Sequence, residues 1–304
     1  MTTGPVARET VRTQVLRGIM FMCLAATVLP VMNAMVKYLS AEYHTAAIIW
    51  ARTGGHFVFV VLAFGPAVGR ALFRTQRLGL QLTRSGLHLL SMLSFFTGIA
   101  VVPLAEASAI TFIAPFVVTA LSGPMLGEKV GIRRWSAVVV GFAGALVVVR
   151  PGTGAVPPEA ALIFVSATCY GIYQILTRRV AAGDRPEVSA VYSGLVGTAV
   201  MTLAVPFFWV WPTSLLDAVL FLSLGILGAI GHYFLARAFM WGPASVIAPF
   251  NYGQLIIAST CGYLVFGQAP DRWTWTGAAI IVASGLYIAY RETRRRAESG
   301  RTAA

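Results

Sequence analysis

Ten apolar stretches, each about as long as a helix needs to cross a bilayer, divide this chain and leave little room for anything else. They run over 18–39, 46–64, 86–103, 107–126, 134–150, 159–177, 188–209, 216–236, 244–266 and 274–290. Crossing the hydrocarbon core takes about 20 residues of helix. The runs are continuous, without the apolar/polar alternation of barrel strands, so helices are expected. The breaks carry turn chemistry: Gly65-Pro66, Arg150-Pro151-Gly152, Val156-Pro157-Pro158, Asp184-Arg185-Pro186, Trp211-Pro212 and Ala269-Pro270-Asp271. Of the 304 residues, 57% are hydrophobic and 11% charged, whereas a soluble domain carries roughly 25% charged residues. The expected class is an all-α polytopic membrane protein with ten transmembrane helices, embedded in the lipid bilayer as one body.

The formal net charge is +12. Its basic residues fall in short clusters between the apolar runs, which reads as membrane orientation and not as nucleic-acid binding. With the N-terminus in the cytoplasm, the inside segments hold Arg8, Arg12, Arg17, Arg70, Arg74, Arg77, Arg84, Lys129, Arg133, Arg134, Arg178, Arg179, Arg185, Arg237, Arg291, Arg294, Arg295, Arg296 and Arg301, most of the 23 Lys and Arg. Lys37, Arg150 and Arg272 fall at the outer ends, and Arg52 lies within a span. Both termini are therefore expected in the cytoplasm of a bacterial-type inner membrane. Arg8, Arg12 and Arg17 resemble the basic start of a signal peptide, but the apolar run behind them is too long, so it is read as a retained first span. Cys23, Cys169 and Cys261 each lie inside an apolar run, which points to packing and not to metal or disulfide chemistry. Trp50, Trp209, Trp211, Trp273 and Trp275 sit where interfacial aromatic belts are expected.

The two halves resemble each other at a shift of 141 residues: Ala26-Thr27 matches Ala167-Thr168, Asn33 matches Gln174, Lys37 matches Arg178, Gly144 matches Gly285 and Arg150 matches Arg291. A slightly shorter shift pairs Ala107-Ser108 with Ala244-Ser245. Each half holds five spans, and an odd number makes the second half enter from the opposite face. The expectation is two inverted five-helix repeats, a plan common among secondary transporters. The divisions are a tail over 1–16, repeats over 17–150 and 151–291, and a basic tail over 292–304.

The ordered motifs resemble the EamA type of the drug/metabolite transporter superfamily over about residues 17–291. They are Ala25-Ala26-Thr27 through Asn33-Ala34-Met35-Val36-Lys37; Trp50-Ala51-Arg52; Ala105-Glu106-Ala107-Ser108-Ala109-Ile110 with Pro115 and Leu126-Gly127-Glu128; and Gly242-Pro243-Ala244-Ser245-Val246-Ile247-Ala248-Pro249. Gly267-Gln268 departs from the pattern, where Glu often follows Gly. The first half is also similar to a subgroup labelled S-adenosylmethionine uptake transporters. The resemblance implies a ten-helix basket around a central cavity, lined mainly by helices 1, 3, 4, 6, 8 and 9, with helices 5 and 10 towards a dimer or lipid side.

Ionisable groups in hydrocarbon are costly and usually face a cavity or a partner. No Asp or Glu falls at mid-depth in any span; Glu106, Glu128, Glu159 and Asp217 are near span ends. Asn33 and Gln174 are candidates for bonding a polar substrate, or for joining helices. Lys37 and Arg178 either snorkel to headgroups, form a gate or contact an anionic substrate. Arg52 and His56 share a helical face, and Arg52 is expected to pair with a carbonyl or with Glu106. The richest polar cluster is expected from His232, Tyr233 and Arg237 with Asn251, Tyr252 and Gln254, beside the Pro249 hinge; Pro115 is its counterpart. Phe95, Phe96, Phe112, Tyr170, Tyr173 and Tyr192 are candidate aromatic walls. Gly141, Gly144, Gly277 and Gly285 are candidates for a homodimer contact.

The leading function is alternating-access transport of a small polar organic metabolite: an amino acid, an amino-acid derivative or a nucleoside-like compound such as S-adenosylmethionine. No cofactor and no metal is implied. An intramembrane enzyme is the first rival, but His44, His56, His88 and His232 are scattered in sequence and no catalytic motif occurs. A channel is the second; it needs a permanent polar pore.

Overall fold

A computed structural model describes residues 5–127, 131–150, 153, 157–180, 183–241 and 247–302. Glu128, Lys129, Pro151, Gly152, Val156 and the run Gly242-Pro243-Ala244-Ser245-Val246 lie outside the described residues. Among the described residues the regular structure is entirely helical: α1 (Pro5–Leu39), α2 (Thr45–Val68), α3 (Leu78–Val101), α4 (Leu104–Thr111), α5 (Ala114–Leu126), α6 (Ile132–Val149), α7 (Ala160–Val180), α8 (Pro186–Ala204), α9 (Leu215–Met240), α10 (Gly253–Phe266) and α11 (Arg272–Thr302). Short 3-10 turns occupy Gly69–Phe73, Val205–Phe207 and Ala248–Tyr252. These form ten membrane segments, because α4 with α5 make the fourth, and Ala248–Tyr252 with α10 make the ninth. Seven of the segments are long and apolar enough to cross a membrane by length and composition, and Trp135–Val149 is a shorter apolar helix.

The expected fourth span is broken. Phe112 and Ile113 donate to the carbonyls of Ala109 and Ile110, at 3.2 and 3.0 Å, three residues back. Pro115 then opens α5 within its first turn; it has no N–H to continue a helix through that point, and its ring crowds the preceding turn. The ninth segment repeats the device, with Pro249 at the start of the Ala248–Tyr252 turn. A second difference is the start of α3, at Leu78 and not near residue 86. Arg84, which the sequence pattern assigns to a loop, is thereby 1% exposed on a helix.

The packing establishes the inversion. On α2 and α8, Trp50 bonds Thr202, Gly197 faces Thr53 and Gly194 faces Phe57, so one number falls as the other rises. On α6 and α11, Ala137 meets Ser284 and Gly144 meets Gly277 in the same antiparallel sense. Corresponding helices of the two halves therefore run in opposite directions. The remaining packing obeys the same exchange: α1 lies on α9 as α7 lies on α3, and α1 touches α10 as α7 touches α4 and α5.

Lipid is as apolar as the helices, so helix association depends on close packing and hydrogen bonds rather than on expulsion of water. A Cβ on Gly225 would lie 2.4 Å from the Cα of Gly55, so α2 and α9 touch backbone to backbone. The glycines expected to form a homodimer face are used inside the chain. Gly141 faces Phe116, Gly144 and Gly277 face each other, and Gly285 receives the hydroxyl of Tyr252. Gly144 and Gly277 let α6 and α11 cross closely, while Gly141 and Gly285 make room for the Phe116 and Tyr252 rings.

Candidate functional site

Four helices bring one polar group together inside the bundle. On α2, Ile48 and Ile49 are fully buried, and Arg52 follows three and four positions later on the same face, 7% exposed. On α3, Arg84, His88, Met92 and Phe96 recur every four residues and form a single ladder. On α7, Tyr170 and Tyr173 are one turn apart. On α9, Gly225 and Gly228 let α2 approach, and His232 follows one turn on.

The guanidinium of Arg52 contacts the sulfur of Met92, lies 3.5 Å from His232 Nε2, and sits 5.7 Å from the centre of the Phe96 ring. His88 stacks on Tyr173 at 4.6 Å and meets His232 edge-on at 6.3 Å, and Tyr170 stacks on Tyr173 at 5.6 Å. His56 lies one turn beyond Arg52 on α2. Three nitrogens of this group are buried without a hydrogen-bond partner: Arg52 Nε, His56 Nε2 and His88 Nδ1. Buried polar atoms are nearly always satisfied, so a concentration of exceptions in one group calls for an explanation.

Arg84 continues the ladder. It lies 4.9 Å from the Tyr173 ring and donates to Gln81, Thr177, Ser193 and the Ser189 carbonyl. Gln81 in turn donates to Asp184, which also accepts from Thr75 and the backbone N–H of Gln76. Burial acts to raise the Asp184 pKa, but the bonds from Thr75, Gln81 and Gln76, with the nearby charge of Arg77, hold it below the usual carboxylate range. This network closes the end of the bundle where α7 finishes and α3 begins.

The opposite end is closed by different chemistry. Lys37 Nζ donates to the carbonyls of Ile99 and Val102, at 2.7 and 2.9 Å. It turns inward to satisfy the otherwise open C-terminus of α3 and is 6% exposed, so it does not snorkel. Glu106 accepts from Thr274, Thr274 also bonds Asp271, and Asp271 pairs with Arg150 at 2.8 Å. Glu106 is thus engaged with α11 and does not pair with Arg52. Tyr43 donates to Asp217 at 3.0 Å, joining the α1–α2 connection to the start of α9. The two ends match under the repeat: Tyr43 reaches Asp217 as Asp184 reaches Gln81.

Apart from Phe95, which packs against Phe96, the other sequence candidates fall outside the Arg52 group's contacts. Tyr233 is 48% exposed. Arg237 lies over Phe21, Tyr233 and Trp241, near the end where α9 finishes. Asn251 accepts from Gln254, and Phe112 packs edge-on against Tyr252 at 4.8 Å. Asn33 and Gln174 are half-buried, Phe95 is half-buried beside Phe96, Tyr192 bonds the Phe73 carbonyl, and Arg178 is exposed. His44 caps α2 and stacks on Phe208. His56, His88 and His232 are instead gathered around Arg52, although sequence distance separates them. The four-residue ladder on α3 was the signal for His88; placing Arg84 in a loop hid it. A groove of about 1000 Å³ between α5, α6 and α7 is lined by Phe116, Val138, Phe142, Leu146 and Phe164, and its walls are almost wholly apolar. It lacks the polar groups that orient a ligand.

Known proteins share this architecture. The chain is 31% identical over 283 residues to a riboflavin transporter of Rhizobium johnstonii, covering 91% of this chain and 92% of that protein. It is 29% identical to an S-adenosylmethionine uptake transporter of Rickettsia prowazekii, covering 92% and 94%. It is 30% identical to a pseudopaline exporter of Pseudomonas aeruginosa, covering 89% and 95%. A protein crystal structure with 20% sequence identity shares the fold at a TM-score of 0.62, covering 92% of this chain and 98% of that one. The model of the EamA-like transporter family matches twice, over 16–150 and 158–290, once for each antiparallel half. The chain is a multi-pass membrane protein and belongs to the EamA-like transporter family.

Proposed function

We propose that this protein is a secondary transporter that moves a small polar organic metabolite across a bacterial-type inner membrane by alternating access, with both termini in the cytoplasm. One observation carries the reading. Arg52 of the first repeat and His232 of the second meet in a buried cluster, 3.5 Å apart, with unpartnered nitrogens beside them. A site built where inverted repeats meet can be reached from either face as one bundle rocks against the other. The networks at the two ends support the same reading, since each must open in turn. Breaking Lys37 from Ile99 and Val102 would free one end, and breaking Asp184 from Thr75 and Gln81 would free the other.

The relatives are named for three different cargoes, and both uptake and export are among their names. They support a small organic solute and leave direction to the gradient. Their names also favour transport over an intramembrane enzyme. The basic clusters that follow the even-numbered segments support cytoplasmic termini. Counterflow in proteoliposomes tests the mechanism: a preloaded unlabelled solute should accelerate entry of its labelled form. A steady current independent of solute exchange would sink this reading and favour a channel. Single cysteines at Thr153 and Thr302 should label from opposite faces of the membrane.

A further inference from the structure

Among the described residues two arginines are buried in the bundle, and their surroundings differ in kind. Arg84 reaches a counter-charge through one amide: its Nε donates to Gln81 Oε1 at 3.3 Å, and Gln81 Nε2 donates to Asp184 at 2.9 Å. Arg52 has no such route. Its contacts are a thioether, an imidazole and the face of a phenyl ring. The acidic side chains that act on it are the phenols of Tyr170 and Tyr173, and neither is a carboxylate. Among the described residues it makes no salt bridge, and Glu106 is taken by Thr274. A guanidinium cannot shed its proton to escape the cost of burial. A permanent charge is therefore held inside the membrane with its counter-ion missing.

We propose, building on the transport reading above, that the substrate supplies that counter-ion: the site takes a planar aromatic or heteroaromatic metabolite bearing one acidic group. The acid sits on Arg52, where the free Nε and the Nη atoms offer a bidentate fork. His56 Nε2 and His88 Nδ1 are unpartnered polar atoms for the rest of the molecule. The ring system lies against Tyr173 and the two rings stacked on it, His88 at 22° and Tyr170 at 21°, with Phe96 beside the guanidinium. A substrate with a net positive charge is disfavoured, because no carboxylate of the described residues faces the cluster to offset Arg52. The proposal thus separates this protein from relatives named for S-adenosylmethionine.

The test uses matched pairs on the purified full chain: nicotinate against nicotinamide, orotate against its amide, anthranilate against anthranilamide, with S-adenosylmethionine as the cationic probe. Thermal shift and competition should show at least one acid binding tenfold or more tighter than its amide. S-adenosylmethionine should not compete. Arg52→Gln should erase the acid preference without lowering the melting temperature of the ligand-free protein, and Arg52→Lys should keep part of it. The proposal is overturned if no acid in the set outperforms its amide, if S-adenosylmethionine binds preferentially, or if Arg52→Gln retains the preference. Counterflow separates the two readings: exchange of an amide or a cation would keep transport and reject the acidic substrate, whereas binding of acids without exchange would reject transport alone.

Discussion

Arg52 on α2 and His232 on α9 belong to opposite repeats, yet their side-chain nitrogens approach to 3.5 Å inside the bundle. Arginine has only donors, so the imidazole nitrogen accepts. The contact makes the two halves share one polar centre.

That contact is measurable by a double-mutant cycle. Arg52→Gln and His232→Leu should be non-additive by about 0.5–3 kcal/mol in thermal or denaturant unfolding, the range for side chains in one network. Strict additivity would mean that the two residues do not interact.

Close backbone approach of α2 and α9 predicts a sharp cost at one glycine. Gly225→Ala places a Cβ 2.4 Å from Gly55 Cα, where neither backbone can yield. The expected loss is about 1–3 kcal/mol from overpacking, read as a lower melting temperature in detergent. Gly79→Ala, with no neighbour within 4 Å, should be neutral or slightly stabilising. Equal effects at the two sites would contradict the packing described.

Arg84 ties α3 to α7 and α8 through Thr177, Ser189 and Ser193. Arg84→Leu should destabilise by about 1–3 kcal/mol, since it strands buried acceptors. Arg84→Lys should recover only part of this, because an ammonium lacks the planar fork. A melting temperature unchanged in Arg84→Leu would place that side chain outside the core.

Asp184 gives the closure around Gln81 a pH dependence with a definite sign. Its pKa in the folded protein lies below the usual value because of Thr75, Gln81, Gln76 and Arg77 acting against burial. Its contribution is complete above the unfolded carboxylate pKa of about 4 and is lost as the pH falls through the lower folded value. Stability should therefore fall more steeply below about pH 4 in the native protein than in Asp184→Asn, which is weaker at neutral pH. Parallel acid profiles would remove Asp184 from the closure.

Lys37 holds the last turn of α3 at the other end. Lys37→Met should loosen that end alone. A single cysteine at Ser94 should then react several-fold faster with a membrane-impermeant reagent added from the face of the Arg150–Asp271 pair. Unchanged reactivity would make Lys37 a static cap and not part of a gate.

The amino-acid sequence by itself determined the class, the number of segments and the doubling of the chain. Each follows from local rules: a bilayer fixes span length, and five spans per half fix the inversion. It also named Arg52, Phe96, Tyr170, Tyr173 and His232 before their neighbourhood was known, because polar and aromatic groups stand out in apolar runs. Tertiary structure alone decided which of them meet. His88 gains its place from a helix face that only an earlier start of α3 reveals. Lys37 turns inward because the end of α3 offers two open carbonyls, and Glu106 is drawn to Thr274 on a helix far away in sequence. Gly144 and Gly277 face inward because α6 and α11 cross closely within the chain, and Gly141 and Gly285 because Phe116 and Tyr252 pack onto them. Partner choice among buried polar groups depends on which helices lie side by side, and that is a property of the packed bundle, not of any one span.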